Sequence, residues 1–538
     1  MSEILQIIKT DTLYFPINIA GEEKLIEIFL LDQNVRKKIF EFRIPVLQTE
    51  TQQAYPFDYY ARFPVKQFTD KTIILKGEVP EVFFHAVCDE QNGNDAPPER
   101  PSIHFTAQHS WINDPNGLHY KDGVYHLYYQ YNPFHIKWNN MSWGHATSHD
   151  LLYWTEQDAV LFPDEHGMMF SGCGIINEKG YLGLPCDASV FFYTAAGGIT
   201  PWSENKPSTQ RIAYSLDEGY TLTKMESGVT ESIEQENRDP KVFWHENSNS
   251  YIMCLWLKEN EFAVLRSENL EKFTVSHRFS LDQAWECPDL FCLKDKNGKE
   301  HWVFWSADGY YYFGSFDGYH FIWDGVRHHA YMNQIPYAAQ TVSGVCDRVI
   351  TIPWLRLEFY QKEVQPKACR YYTGAMGIPR EITLVEDNGE YKLALNYVRE
   401  LFNYTERIEL PCCSKQEVRS ERCCLNIPDQ NETTLLIERM TERNDAGYDF
   451  TIDLYGNLIQ YNSDHGMIQM NEQQIYVGEK IKDFSFLLDD VIFEVTANHG
   501  IITGAFQLTR KHNSILIDWN DTKRWKLFSI HQNNKSII

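Results

Sequence analysis

Hydrophobic and polar residues alternate with a period near two along most of this chain, the spacing of half-buried strands rather than of amphipathic helices. Runs rich in aromatic and β-branched residues, such as VYHLYYQYNP, SVFFYTAAG, PKVFWHENSNSYIMCLWL and HWVFWSADGYYYFGSFDG, are bounded by Gly, Asn, Asp and Pro. Each predicts a short strand or a hairpin, and the Asn-Ser-Asn-Ser string at 247–250 predicts the turn of one of them. Long stretches of helical periodicity are missing. The chain reads as all-β.

Texture divides it in three. Residues 1–98 hold alternating runs such as KLIEIFLL, KIFEFRIPV and KTIILKG, and the polar, proline-bearing stretch CDEQNGNDAPPERP at 88–101 reads as a linker. Residues 99–385 carry nearly all the Trp-rich and Asp-rich motifs, and 386–538 return to alternating strands such as TLLIERM, YDFTIDLYG and DVIFEVTA. Within the middle segment, polar clusters sit beside strand-like runs at Asp114, Ser171, Asp239, Glu286 and Gln340, at intervals of 57, 68, 47 and 54 residues. Five sheets around an axis use this length well, although common propellers take about 40–50 residues per blade. A propeller brings the first strand of every blade to one central channel, so distant residues meet there.

Charge and composition narrow the partners. The 538 residues carry a formal net charge of −25, which argues against nucleic acid, because that binding rests on neutralising phosphates with Lys and Arg. An anionic membrane surface is disfavoured for the same reason, and no run of about 18 apolar residues offers a membrane-spanning helix. The aromatic content of 14% supplies large cores and flat faces that stack on sugar rings. The start, MSEILQIIKTDTLYF, lacks the basic and long apolar regions of a secretory signal. Together with twelve scattered cysteines it suggests a cytoplasmic protein with reduced thiols. A trimmed N-terminus would leave secretion open. Cys412-Cys413 and Cys423-Cys424 are adjacent pairs, unlike the two-to-four-residue separation of zinc ligands, so buried thiols on a hairpin are expected and no metal.

Chemistry gathers at the nodes. Taken alone, NDPNG at 113–117 is a turn, since Pro fixes φ and Gly permits positive φ. Its surroundings change the balance: Trp111, Trp138, Trp143, Asn113, Gln130 and Asn132 crowd about one carboxylate, Asp114. Phe170-Ser171-Gly172-Cys173 offers an aromatic wall and a hydroxyl. Arg238-Asp239-Pro240 is a surface ion pair or, in a pocket, a grip on two adjacent hydroxyls. Trp285-Glu286-Cys287-Pro288 puts an acid in apolar company, which favours the protonated form that a general acid needs. Glycosidic cleavage calls for two carboxyls flanking the bond. Signatures of serine hydrolases, zinc proteases, P-loop and dinucleotide-binding proteins are missing, and no motif calls for a cofactor.

These motifs resemble glycoside hydrolase family 32, the β-fructofuranosidases that include invertases, inulinases and levanases. WINDPNG is similar to that family's WMNDPNG, 170–173 to its FSGS, 238–240 to its RDP, and Glu286-Cys287 to its EC. YAAQTVSGVCDRVITIPW at 337–354 resembles its last-blade motif, GIPRE at 377–381 the exit from the propeller, and LLDDVIFEVTANHG at 487–500 the signature of its terminal sandwich. The resemblance implies a five-bladed β-propeller followed by a C-terminal β-sandwich, with residues 1–98 as an additional N-terminal β-rich accessory domain. It implies Asp114 as nucleophile at C2 of a fructofuranosyl unit, Glu286 as general acid and then base, and Asp239 as stabiliser of the transition state. Asn113, Gln130, Trp138, Phe170, Ser171, Arg238, Tyr337 and Trp354 match positions lining the fructose pocket.

Two departures stand out: Cys173 replaces a serine beside the pocket, and YMNQIP at 331–336 lacks the usual Asp and Gly. The implied activity is retaining hydrolysis of sucrose, fructo-oligosaccharides or fructans such as inulin and levan. A fructosyltransferase using the same site and a non-catalytic fructan-binding protein remain alternatives, and an oligomer built through the accessory domains is compatible with all three. The related inverting arabinan-cleaving hydrolases fit less well, given NDPNG together with RDP and EC.

Overall fold

The computed structural model describes every residue except 1, 50–53, 90–98, 231, 360–369, 388, 409–421, 427–433, 441–448, 479–480, 513, 519–523 and 532–538, and the side chains of 422–426 and 518. Cys412 and Cys413 thus lie outside the described residues, while Cys423 and Cys424 fall on strand Arg422–Asn426 without described side chains. Most of the proposed linker also lies outside them. Among the described residues the one α-helix is the short Glu81–His85.

The N-terminal strands form a four-stranded sheet (Ser2–Ile7, Thr72–Gly77, Glu22–Asp32, Val35–Val46, in that order) beside the pair Thr12–Ile17 and Tyr59–Pro64. Between them Phe15, Phe40, Phe42 and Phe63 pack into one buried cluster. Phe134 and Phe162 from the middle segment of the chain insert into that cluster, their rings 4.8 Å from Phe42 and 5.0 Å from Phe63. Sharing one core fixes the N-terminal sheets against the middle segment.

Next come successive antiparallel sheets of four strands, each built from consecutive hairpins: Met168–Ile176 onward, Arg238–His245 onward, and Asp289–Lys294 onward. The hairpin predicted at 247–250 joins two of these strands, with His245 opposite Ser250 and Asn249 in the left-handed region. The sheet beginning with Ser110–Lys121 and the one beginning with Pro336–Thr341 are merged into nine strands by Tyr372–Met376. That strand runs parallel to the first and antiparallel to Val349–Glu358. The ring of sheets is closed by hydrogen bonds between the first and last of them. Strands Arg380–Asp387 and Glu390–Tyr397 belong to this closing sheet, so the expected boundary at residue 385 falls inside a strand. The first strands Ser110–Lys121, Met168–Ile176 and Arg238–His245 lie one against the next, and Pro336–Thr341 lies against Ser110–Lys121, as in a propeller.

Two six-stranded sheets come after the ring, facing each other across Phe450, Ile452, Phe484, Phe486, Trp525 and Leu527. This is the expected sandwich. The segment 331–336 docks on it: Met332 N–H donates to Thr503 O (2.7 Å) and Asn333 Nδ2 to Ala505 O (2.7 Å). The departure from the family pattern there is an interdomain contact.

A buried polar cluster holds sandwich to propeller. Asp489 accepts from the backbone N–H groups of Ser102, Ile103 and His104 and from the His104 ring. Glu494 accepts from the other His104 nitrogen, from Ile378 N–H and from Arg380 Nη2 (2.5 Å). The burial of His104 opposes protonation, but the two carboxylates outweigh it and hold the ring up at about 9, while Asp489 and Glu494 are held below their usual range. Proton linkage sets the sign of the effect on stability. His104 contributes stability that is complete below about pH 6.5 and lost as pH rises through about 9, whereas the two acids contribute above pH ~4–5 and lose it on acidification. Stability measured by thermal or denaturant unfolding falls by something on the order of 3 kcal/mol between pH 6.5 and 9.5, and His104→Gln flattens this alkaline decline. An equally steep decline in the variant contradicts the assignment. Glu494→Gln leaves Arg380 buried without its partner and costs about 3–5 kcal/mol.

Candidate active site

The first strands of the sheets are irregular at the nodes. Pairing shifts between Ile112 and Pro115, between Phe170 and Gly172, between Arg238 and Lys241, and between Tyr337 and Gln340. A β-bulge of this kind twists the strand and re-aims the side chain at the extra residue, and the residues inside these intervals include Asp114, Ser171 and Asp239. Asp239, Cys287 and Ala338 also adopt left-handed backbone, at φ of 64°, 46° and 48°, a conformation costly for residues with a Cβ and common at functional sites. NDPNG is therefore bulged strand within Ser110–Lys121, not the turn it suggests alone. Gly117 is required there (φ 54°), since a Cβ would come within 2.7 Å of Tyr128.

These distortions open on one cleft of about 1190 Å³. Asp114, Asp239 and Glu286 line it, and so do Asn113, Gln130, Trp138, Phe170, Ser171, Arg238, Tyr337 and Trp354. Its volume exceeds the roughly 300–1,000 Å³ usual for drug-sized ligands, so it has room for more than one sugar ring. Gln340, the fifth node, ties the axis beneath: its Nε2 donates to Gly172 O (3.0 Å) and its Oε1 accepts from Leu118 N–H (3.4 Å).

The carboxyls are held by specific donors. Asp114 Oδ2 accepts from Ser171 Oγ at 2.7 Å. Asp239 Oδ2 accepts from Cys287 N–H at 3.1 Å. The Cys287 sulfur lies 3.6 Å from Asp114 Oδ2 and 3.5 Å from Asp239 Oδ2, between the two acids. Burial, reinforced by Asp239, Asp114 and Glu286, pushes this thiol far above its ordinary range, so it stays a neutral S–H donor. Glu286 is not in apolar company as its neighbours in sequence suggest. Arg238 Nε and Nη2 fork its Oε2 at 3.1 and 2.8 Å, and Tyr337 Oη donates to its Oε1 at 2.6 Å. Arg238 thus grips Glu286 more closely than Asp239, whose Oδ2 is 3.8 Å from Nε.

Burial raises Asp114, and the charge of Glu286 adds to this against the hydrogen bond from Ser171. Burial likewise lifts Asp239 well above the carboxylate range, with Glu286 and Asp114 adding to it and Arg238 opposing. Asp114 and Asp239 push each other upward and do not titrate independently.

Some expectations shift. Trp143 is fully buried, its Nε1 donating to Phe170 O (3.1 Å) behind the wall, and Asn132 is buried bracing residues 134–140. Cys173 lies in the core with its sulfur accepting from Val242 N–H (3.0 Å), so the serine replacement does not face the cleft. Sequence reasoning missed Trp256, whose ring lies 3.8 Å beneath the Arg238 guanidinium, and Arg356, stacked 3.4 Å over Tyr337 at the cleft wall. Both sit in strand-like runs with no signal marking them. It also missed the wall formed by residues 197–199 and 204–207.

Carboxyl groups gathered at the axis of a β-propeller define a cleft of the kind in which glycosidic bonds are cut. The family model for the glycosyl hydrolases family 32 N-terminal domain matches residues 104–395, and the chain belongs to that family. It is 32% identical over 330 residues to the levanase of Bacillus subtilis, covering 56% of this chain and 47% of that one; the chain thus spans about half the length of this relative. The crystal structure of exo-inulinase from Aspergillus awamori is similar over 82% of this chain and all of that one, at 24% identity and a TM-score of 0.67. A family 32 glycoside hydrolase from Bifidobacterium adolescentis is similar over 99% of both chains, at 17% identity and a TM-score of 0.64. The shared fold is a β-propeller followed by a β-sandwich.

Arg238 opposes the upward push on Asp239. Removing it lets that carboxyl rise further, so the acid limb of the kcat/KM–pH profile of any reaction in this cleft moves to higher pH in Arg238→Ala. The value at the optimum falls by more than about tenfold. A limb that stays or moves to lower pH contradicts the electrostatic account.

Proposed function

We propose that the chain is a retaining β-fructofuranosidase that hydrolyses sucrose, fructo-oligosaccharides or fructans such as inulin and levan. What carries the reading is three carboxyls on bulged or distorted backbone, at the positions that match the family's motifs, lining one cleft. The family membership and the names of the relatives, levanase and exo-inulinase, support the substrate class. We read the successive four-stranded sheets as five blades ending at Tyr397, and residues 1–98 as an accessory domain.

The chemistry runs in two balanced steps. A carboxylate oxygen of Asp114 attacks C2 of the fructosyl unit, the C2–O bond breaks, and Glu286 gives its proton to the departing oxygen. Water then attacks C2, Glu286 takes its proton, and the bond to Asp114 breaks, restoring both side chains with retained configuration. The Ser171 hydroxyl stabilises the ionised nucleophile. Asp239 offers negative charge to the oxocarbenium-like transition state.

Purified protein releases fructose from sucrose, kestose, inulin or levan. Asp114→Asn lowers kcat by more than about 10³-fold without changing the melting temperature, and full activity in this variant removes the nucleophile. Glu286→Gln slows the enzyme greatly on sugars and less on an aryl fructoside with a good leaving group; equal slowing on both removes the acid role. A product mixture dominated by longer oligosaccharides at high sucrose turns the reading toward transfer, and binding without any turnover turns it toward a fructan-binding protein.

A further inference from the structure

Two segments of the cleft wall are held by the N-terminal sheet. One is the loop 197–207, which joins strands Ser189–Ala196 and Thr209–Ser215 and turns through the short helix Pro201–Ser203, capped by Thr200. Its exposed residues 204–207 line the rim, away from the three carboxyls. The backbone N–H of Trp202 donates at 3.1 Å to Oε1 of Glu41, a residue only 4% exposed on strand Val35–Val46. The Glu41 carboxylate ends a line of alternating charge across the N-terminal sheet. Lys76 Nζ meets Glu27 at 3.0 Å, Glu27 meets Lys38 Nζ at 2.5 Å, and Lys38 meets Glu41 at 2.7 Å while lying 5.5 Å over the Trp202 ring.

The same strand holds a second segment of the cleft wall, residues 138–140 of the neighbouring sheet. The Asn140 carboxamide exchanges two hydrogen bonds of 2.8 Å with the backbone N–H and C=O of Arg43, as a neighbouring strand would. Asn139 Nδ2 donates to Glu23 (3.0 Å). Directly before them stands Trp138, half-exposed in the cleft and edge-on to Phe170. Thus Glu41 and Arg43, two residues apart on one strand, each fasten one segment of the cleft wall.

We propose that the N-terminal sheet acts as a brace that fixes two neighbouring segments of the cleft wall, loop 197–207 and the segment bearing Trp138, with Glu41 as the positioning residue for sugar units beyond the ring being cleaved. The proposal rests on the fructosidase reading. A carboxylate accepting a backbone N–H inside a charged network is a strong, directional hold, and a loop bearing Gly197 and Gly198 depends on such a hold for its position. The hydrogen bonds to the carboxyls of Asp114, Asp239 and Glu286 come from Ser171, Cys287, Arg238 and Tyr337, and none among the described residues comes from loop 197–207. Loosening the loop therefore affects long substrates selectively.

The test compares sucrose, with two rings, and nystose, with four. In Glu41→Ala the KM for nystose rises about tenfold, the equivalent of one lost hold on the wall, with kcat unchanged. Both parameters for sucrose stay within about twofold. Glu41→Gln keeps an acceptor for the Trp202 N–H and recovers most of the nystose KM, while Lys38→Met, which leaves Glu41 in place, gives a smaller rise in the same direction. Equal changes on both sugars, or none on either, in Glu41→Ala and Lys38→Met overturn the brace. A wild-type protein that releases fructose from neither sugar removes the fructosidase reading itself, an outcome distinct from an active protein with an unaltered chain-length profile.

Discussion

Like charges gathered in a buried cleft repel one another, and this site gathers three carboxyls, two of them beside the guanidinium of Arg238. The guanidinium is held from below by the face of Trp256 at 3.8 Å and forks Glu286 while lying near Asp239. Its charge and the donors from Ser171, Cys287 and Tyr337 make the arrangement tolerable. Burial and the neighbouring carboxyls still push Asp114 and Asp239 above the usual carboxylate range. The bulged first strands, the closed ring of sheets and the buried platform beneath the arginine all hold this cluster in place.

The surrounding domains serve the same end at longer range. The buried His104–Asp489–Glu494–Arg380 cluster joins the sandwich to segments at both ends of the propeller, where the ring of sheets has to stay closed. On the other side, the N-terminal sheet shares its aromatic core with Phe134 and Phe162 and fastens two segments of the cleft wall. Each contact ties a shell domain to a segment that shapes the cleft or closes its scaffold.

Much of this was legible in the sequence, for identifiable reasons. Period-two patterning marks strands well, and the spacing of the polar nodes followed the spacing of the first strands, because four nodes fall at shifts in a first-strand ladder and Glu286 stands just before its strand. Site residues with chemical character, Asp114, Asp239 and Glu286, stood out because each sits in a short distinctive motif beside a strand-like run. Trp256 and Arg356 did not, because their roles arise from stacking between sheets far apart in sequence. NDPNG has the composition of a turn, yet ladder hydrogen bonds on both sides made it a bulged strand. The donors around Glu286 come from Arg238 and Tyr337, so its local Trp-Glu-Cys context misrepresented its surroundings. Cys173 likewise read as a pocket residue, although alternation along its strand turns it into the core.

The central claim is that one fructosyl ring sits among Asp114, Asp239 and Glu286. It is tested most directly by a crystal structure of Asp114→Asn soaked with kestose. The account predicts density for a furanose ring with C2 facing residue 114, the Glu286 carboxyl at the glycosidic oxygen, and the remaining rings running out between Trp138 and the loop 197–207. Kestose bound elsewhere on the chain, with all three side chains untouched, contradicts it.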